Sequence, residues 1–232
     1  MAPNMVLLLL LLSALLGTLT AGAGAGAAGA PVGTVGEPLL LDEQLVQAFK
    51  AKPLRAVTTT NATIPYSYPL FSQCDSKWGA DIMVTKTVCQ VGCLMSSTSM
   101  ALRGSNIPIP PPPSSGSVSA DPGTFNAWLK ANGGYDDSND FIESSAEQIN
   151  GVVWPADAMH KTNDLSFDTV RSYIQKGRIM IANVNQGHHF VLAVGWGDDA
   201  DTIMVNDPGY DRDSYSYSKD IVGWRIFDMV RQ

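Results

Sequence analysis

The sequence predicts an α+β fold with segregated layers, and three observations carry that expectation. Helix-forming patterns dominate the earlier part of the chain's main domain, at residues 96–103 and 124–132. Strand-forming runs cluster later, at residues 179–184, 190–194 and 202–205, so helices and strands are grouped in sequence and do not alternate as they do in a parallel α/β sheet. After the N-terminal segment no apolar run approaches the about 18 residues of a membrane span, which leaves one domain's worth of chain around one core.

Taken in chain order, residues 6–16 form a short apolar run followed by a stretch containing Gly17 and Ala21, small residues suited to signal cleavage. The run is too short for a bilayer of usual thickness, so residues 1–21 read as a secretory signal peptide. A signal anchor is the alternative, because no Lys or Arg precedes the run. Residues 21–30 are Gly/Ala low complexity with nothing to bury in a core. Leu41, Leu45, Val46 and Phe49 recur at helical spacing within residues 39–50. Such a helix either packs on the domain as an arm or shields its groove as a propeptide. Residues 22–65 are therefore expected as a linker with a candidate propeptide, ahead of a domain at 66–232. Asn61-Ala62-Thr63 is a glycosylation sequon in a Thr-rich stretch, which suits an exposed loop of a secretory protein.

Inside the domain, Cys93 opens a run with apolar positions at Leu94, Met100, Ala101 and Leu102, placing it in the first turn of a helix that reaches Arg103. Residues 107–119 are too rich in proline for helix or central strand and are expected as a surface excursion of polyproline character. A helix over 124–132 is stopped by Gly133 and Gly134. The acidic stretch 136–140 lacks the glycine that a calcium loop needs for its sharp turn and reads as a solvated loop. Ser166 caps a helix over 166–176 that Gly177 ends. The strand at 190–194 runs into the turn Gly195-Trp196-Gly197-Asp198-Asp199, and the strand at 202–205 returns to end at Asn206-Asp207-Pro208-Gly209.

Within this frame Cys93, His189 and Asp207 read as a thiol nucleophile, its base and an orienter. A thiol is a weak nucleophile until it ionises, and positive potential favours the thiolate. The N-terminus of a helix supplies one source of that potential at Cys93, and His189 as an imidazolium supplies a second. An antiparallel hairpin brings a residue at the start of its first strand near one at the end of its second, so Asp207 can accept the proton of one ring nitrogen of His189 and fix its tautomer. His188 competes for the role of base, and strand alternation sends the two rings to opposite faces. Asn206 is a neighbouring alternative orienter, since an amide oxygen accepts the same proton. Taken singly, each residue has a structural account: a histidine beside a strand, an aspartate capping a turn.

The segments Q-C-D-S-K-W-G at 73–79, V-G-C-L-M-S-S-T-S-M-A-L at 91–102, G-H-H-F-V-L-A-V-G-W at 187–196 and V-N-D-P at 205–208 resemble, in this order, the C39-like branch of the papain-like cysteine peptidases. The resemblance covers residues 66–231. It implies a papain-like core, with the nucleophile helix packed on an antiparallel sheet that carries His and Asp, and it carries over Cys93, His189 and Asp207. His189 is favoured over His188 because it directly precedes the apolar strand, as the family's histidine does. Gln73 would be the oxyanion-hole donor, acting with the backbone N–H at Cys93. Gln90, three positions ahead of Cys93, is the other amide in reach. Many relatives read G-C-G-P-T where this chain has G-C-L-M-S, so the bulkier Leu94 and Met95 are expected to narrow the site.

Three cysteines in a secreted chain leave one over when two pair. The expected bridge is Cys74 to Cys89, which leaves Cys93 free. The alternatives are a Cys89–Cys93 bridge with Cys74 free, or three buried thiols. Cys74, Cys89, Cys93 and His189 can be written as a zinc set, but the gap between Cys89 and Cys93 is wider than the usual C-x₂-C and a matching second pair is missing. No metal or cofactor is expected. A net charge of −7 argues against a nucleic-acid partner, which draws on clustered Lys and Arg. The expected activity is that of a thiol hydrolase acting on amide bonds of a peptide or protein substrate, extracellular or in a lysosome or vacuole, without stable membrane insertion once the signal is cleaved. The same residues also admit a catalytically inactive binding module on this fold, or acyl transfer to an amine.

Overall fold

The computed structural model describes residues 61–110 and 116–230, all within the unit Val46–Gln232. The expected signal peptide, the Gly/Ala segment, the helix at 39–50 and the middle of the proline-rich stretch lie outside the described residues.

Helices α1 (Val88–Val91) and α2 (Cys93–Gly104) follow one another with only Gly92 between them. A reciprocal cap starts α1: Thr87 Oγ1 accepts from the Gln90 N–H, and Gln90 Oε1 accepts from the Thr87 N–H. The abrupt join requires glycine, because a Cβ at residue 92 would stand 2.6 Å from the Val88 carbonyl oxygen. Every residue of α2 from Met95 to Leu102 is buried, since the sheet and α3 (Pro122–Ala131) enclose it. That suits small hydroxyls at its polar positions, three of which find backbone carbonyls, while Ser96 Oγ has no partner among the described residues. Thr98 Oγ1 donates to the Leu94 carbonyl at 2.9 Å, Ser99 Oγ to the Ser96 carbonyl at 2.7 Å, and Ser97 Oγ to the Phe190 carbonyl at 3.3 Å. Helix α3 begins two residues before its expected start because Asp121 caps it and Pro122 occupies its first turn.

The strands are β1 (Val152–Val153), β2 (Met159–His160), β3 (Ile179–Val184), β4 (His189–Trp196), β5 (Thr202–Asn206), β6 (Ser214–Ser216) and β7 (Gly223–Met229), with α4 (Phe167–Gln175) before β3. They form an antiparallel sheet in the order β1-β7-β3-β4-β5-β6, with β2 also pairing β7. Helices and an antiparallel sheet make the fold α+β. Alternation along the strands gives the sheet two apolar faces. Ile179, Ile181, Leu192 and Phe227 pack on the side of α2 and α3, while Met180, Ala182, Val191 and Ile226 pack against Phe167, Val170 and Ile174 of α4. Val194 stays on the first face with Leu192, but past the register shift between Ala193 and Gly195 the alternation is reversed and Trp196 lies on the second. Gly195 also admits the N-terminal arm: a Cβ there would lie 2.1 Å from the Thr63 carbonyl oxygen, which accepts from the Trp196 N–H.

One loop expectation is corrected in part and another refined. The start of the proline-rich stretch is core, not surface: Ile107 and Ile109 are each 1% exposed, while Val118, which Ile109 bridges, is exposed with the rest of residues 116–119. Proline-rich backbone leaves the isoleucines free to bury, and alternating Ile-Pro is itself an extended pattern. The acidic stretch is exposed at residues 136–138 and 140, as expected, and only its asparagine is not. Asn139, at φ 73°, is buried, and its Oδ1 accepts from the backbone N–H groups of Val84, Thr85 and Lys86.

Candidate active site

Cys93 is the first residue of α2, half-buried, with no acidic side chain in that first turn. It is free, because Cys74 and Cys89 form the disulfide. Opposite stands the β3–β4 connection, where Asn185, Gln186 and Gly187 take φ of 52°, 59° and 95° in succession. Backbone strain at two non-glycine residues is concentrated where the chain turns to start β4 on His189.

His189 is buried and His188 is exposed at the rim. His189 Nε2 lies 2.7 Å from Asp207 Oδ1, and Cys93 lines the same cleft, near enough for the thiol to act on the imidazole's charge. With Nε2 taken by the carboxylate, Nδ1 is the ring nitrogen left for the thiol. Burial pulls the His189 pKa down, but the hydrogen bond to Asp207, the nearby Cys93 thiol and the charges of both raise it on balance from 6.5 to about 9.

Asp207 follows directly on β5 and is 4% exposed. Four donors saturate it: on Oδ1 the His189 ring, the Gly209 N–H at 2.8 Å and the Tyr210 N–H at 3.0 Å, and on Oδ2 the Tyr215 hydroxyl at 2.7 Å. A buried carboxylate is tolerated only with such a set. Asn206 does not face His189; its Nδ2 donates to the carbonyls of Tyr68 and Pro69, holding the N-terminal arm.

Gln73 is 7% exposed, and its Nε2 donates to the Cys89 carbonyl at 2.8 Å while Oε1 has no partner. Its backbone N–H bonds the Pro208 carbonyl, tying it to the Asp207 loop. Gln90 is exposed, and its side-chain oxygen is committed to the α1 cap. The cleft, about 590 Å³, brings together Gln73, Cys93 and His189, with Leu94, Met95 and Phe141 among its apolar walls. Met95 is turned into the core at 1% exposure, so Leu94 is the more open of the two bulky residues beside Cys93.

Sequence reasoning passed over three residues here. Gly209 must be glycine: a Cβ would stand 2.8 Å from His189 Cε1 and 3.4 Å from Gln73 Oε1. The β4–β5 register, which sets Leu192 opposite Asn206, carries forward to that spot, so the pairing itself held the signal. Tyr210 packs edge-on against the His189 ring, centroids 4.9 Å apart. Tyr215 is reached only through the alternating Ser-Tyr-Ser of β6, which turns one tyrosine inward. Across the cleft Glu143 Oε1 accepts from Arg225 Nε at 2.6 Å, and the guanidinium lies over the Phe190 ring. Asn61 is exposed and borders a separate shallow cavity with Arg171 and Trp196.

An antiparallel sheet carrying an imidazole–carboxylate pair, facing a free thiol at a helix N-terminus, has the make-up of a cysteine hydrolase. The chain belongs to the Peptidase_C39 like family, whose profile matches residues 66–228. Membership suggests a cysteine-peptidase type of function and implies peptide or protein substrates. Comparison with curated proteins and with solved structures gave no match. Among the described residues no helix is long and apolar enough to cross a membrane, and no cluster of His, Cys, Asp and Glu gathers to hold a metal ion.

Proposed function

We propose that the chain is a cysteine peptidase of papain-like architecture that hydrolyses amide bonds through Cys93, His189 and Asp207. The observation that carries this reading is the His189 imidazole, bonded to Asp207 and sharing one cleft with the free Cys93 thiol that helps raise its pKa. Cys93 Sγ attacks the scissile carbonyl carbon as His189 takes the thiol proton. His189 returns that proton to the amine nitrogen as the C–N bond breaks, leaving a thioester on Cys93. Water then attacks the thioester with His189 as base, which releases the acid and restores the thiol. Gln73 Nε2 spends one hydrogen on the Cys89 carbonyl, so its second is the donor for the oxyanion, together with the Cys93 N–H.

The chain is proposed to enter the secretory pathway by a signal peptide at 1–21 and to reach the extracellular space or a lysosome or vacuole. Residues 22–65 are the linker and candidate propeptide, and 66–232 the peptidase domain. The disulfide and the exposed sequon at Asn61, taken as glycosylated, support that route. The test is the pH dependence of iodoacetamide labelling on wild type and His189→Ala, with the modified residue located by peptide mass spectrometry. Rapid labelling of Cys93 near pH 6 that His189→Ala abolishes supports the pair. Labelling only in the range of an ordinary thiol, about pH 8.5, removes the peptidase reading and leaves a binding module.

A further inference from the structure

Asp207 has two carboxylate oxygens with different duties. Oδ1 faces His189 and two backbone N–H groups, while Oδ2 points away from the imidazole toward β6. A carboxylate held through one oxygen alone can rotate about its Cβ–Cγ bond and swing the imidazole with it. Among the described residues, the side-chain hydroxyl bonded to Oδ2 is that of Tyr215, 2.7 Å away, and the tyrosine is itself 2% exposed and fixed in the sheet opposite Ile203. Behind its ring lies the Arg212 guanidinium, 3.8 Å from the centroid and held by the Ser214 carbonyl and the Asp220 carboxylate. A cation on the ring face polarises the phenol and strengthens its O–H as a donor.

We propose that Tyr215 is a positioning residue for the thiol–imidazole pair: its hydroxyl clamps Asp207 Oδ2, fixes the plane of the carboxylate that orients His189, and limits how strongly the carboxylate holds the imidazolium proton. The proposal rests on the Cys93–His189–Asp207 reading. The groups facing Asp207 are His189 from β4, Tyr210 from the following loop and Tyr215 from β6, with Arg212 behind the Tyr215 ring and Cys93 beyond the imidazole from α2. Burial first, then the Asp207 charge, push the Tyr215 pKa up, so the phenol remains a donor throughout the range in which His189 titrates.

Tyr215→Phe keeps the ring and its packing but takes one donor from the carboxylate. The carboxylate charge, less dispersed, then draws more on the His189 proton, and the imidazolium persists to higher pH. The alkaline limb of the Cys93 alkylation profile is expected to move up by about half a pH unit. With a peptide substrate kcat is expected to fall roughly tenfold while KM holds, since Tyr215 touches no substrate.

The control is Tyr217→Phe, which removes another buried-edge hydroxyl bond, to the Leu165 carbonyl, at a distance from the carboxylate. It is expected to lower the melting temperature without moving the limb. The measurement is iodoacetamide labelling of Cys93 across the pH range in wild type, Tyr215→Phe and Tyr217→Phe. An unmoved limb in Tyr215→Phe, or an equal shift in Tyr217→Phe, overturns the proposal. If Tyr215→Phe fails to fold, Arg212→Gln, which leaves the hydroxyl but removes the cation, takes its place and is expected to shift the limb less and in the same direction; no shift there overturns the proposal. Wild-type Cys93 that labels only as an ordinary thiol sinks the peptidase reading itself, a result distinct from either.

Discussion

The sheet side of the candidate site is saturated and the helix side is not. On the sheet side every oxygen of Asp207 has donors, and His189 is bonded to Asp207 beside Cys93. On the helix side Cys93 is half-buried, and Gln73 Oε1 is buried without a partner. The sheet side is built by strand pairing and a turn, so its bonds form as the fold forms. The helix side is clamped instead by the Cys74–Cys89 bridge and the bond from Gln73 Nε2 to the Cys89 carbonyl, while Gln73 Oε1 is left without a partner. On the proposed peptidase reading, the acid–base pair is thus set in advance and the side that would meet a substrate is the less constrained one.

The sharpest way to break that contrast is to remove one central group from each side. Cys93→Ala is expected to abolish amide hydrolysis while changing stability by no more than about 1 kcal/mol, because a half-buried sulfur and its interaction with the His189 ring are all that is lost. Asp207→Ala is expected to abolish it too, but at a stability cost of about 3–5 kcal/mol, since a buried partner to four donors disappears. Turnover together with urea melts separates the two. Equal stability losses would mean that the sides are not built differently. Next in size is Gln73→Ala, expected to lower kcat by about a hundredfold through the lost oxyanion donor. Its effect on melting is expected to be small, because the side chain makes one bond and leaves one atom unsatisfied. A fall in melting temperature that matches the loss of rate would make Gln73 a structural residue.

Legibility in the sequence divides along the same line. Helix caps, glycine stops and strand runs announce α2, α4, β3, β4 and β5, because these signals are local. Cys93, His189 and Asp207 stand out because chemistry-bearing residue types fall at the ends of predicted elements, and those three meet in the structure. What does not announce itself depends on contacts distant in sequence. Burial of Ile107 and Ile109 against the core, the use of Asn139 to hold the 84–86 backbone and the Tyr215 bond to Asp207 are of this kind. Gly209 lies between the two classes, since the strand register predicts what it faces but its composition predicts only a turn.

The sheet side also predicts a pH dependence. His189 has its pKa raised from 6.5 to about 9, so the folded state binds the imidazole proton more tightly than the unfolded chain does. The stability this supplies is complete below pH 6.5 and is lost as pH rises through about 9. Melting temperature should therefore decline across that window in wild type and decline less in His189→Ala. Thermal scans at closely spaced pH values check this, and a wild-type profile that is flat or rising there would contradict the bonded imidazolium.

The smallest expected effect separates the two amides near Cys93. Gln90 closes the cap of α1 and commits its side-chain oxygen to the Thr87 N–H, so Gln90→Ala should cost about 1 kcal/mol of stability. Its loss should leave kcat close to wild type, because α1 stays anchored by the disulfide through Cys89 and by the Gln73 bond to the Cys89 carbonyl. Steady-state kinetics on Gln90→Ala beside Gln73→Ala reads this directly. A rate loss at Gln90 as large as at Gln73 would mean that the cap, and not the disulfide, holds the open side of the site in place, and the contrast between the two sides would have to be redrawn around α1.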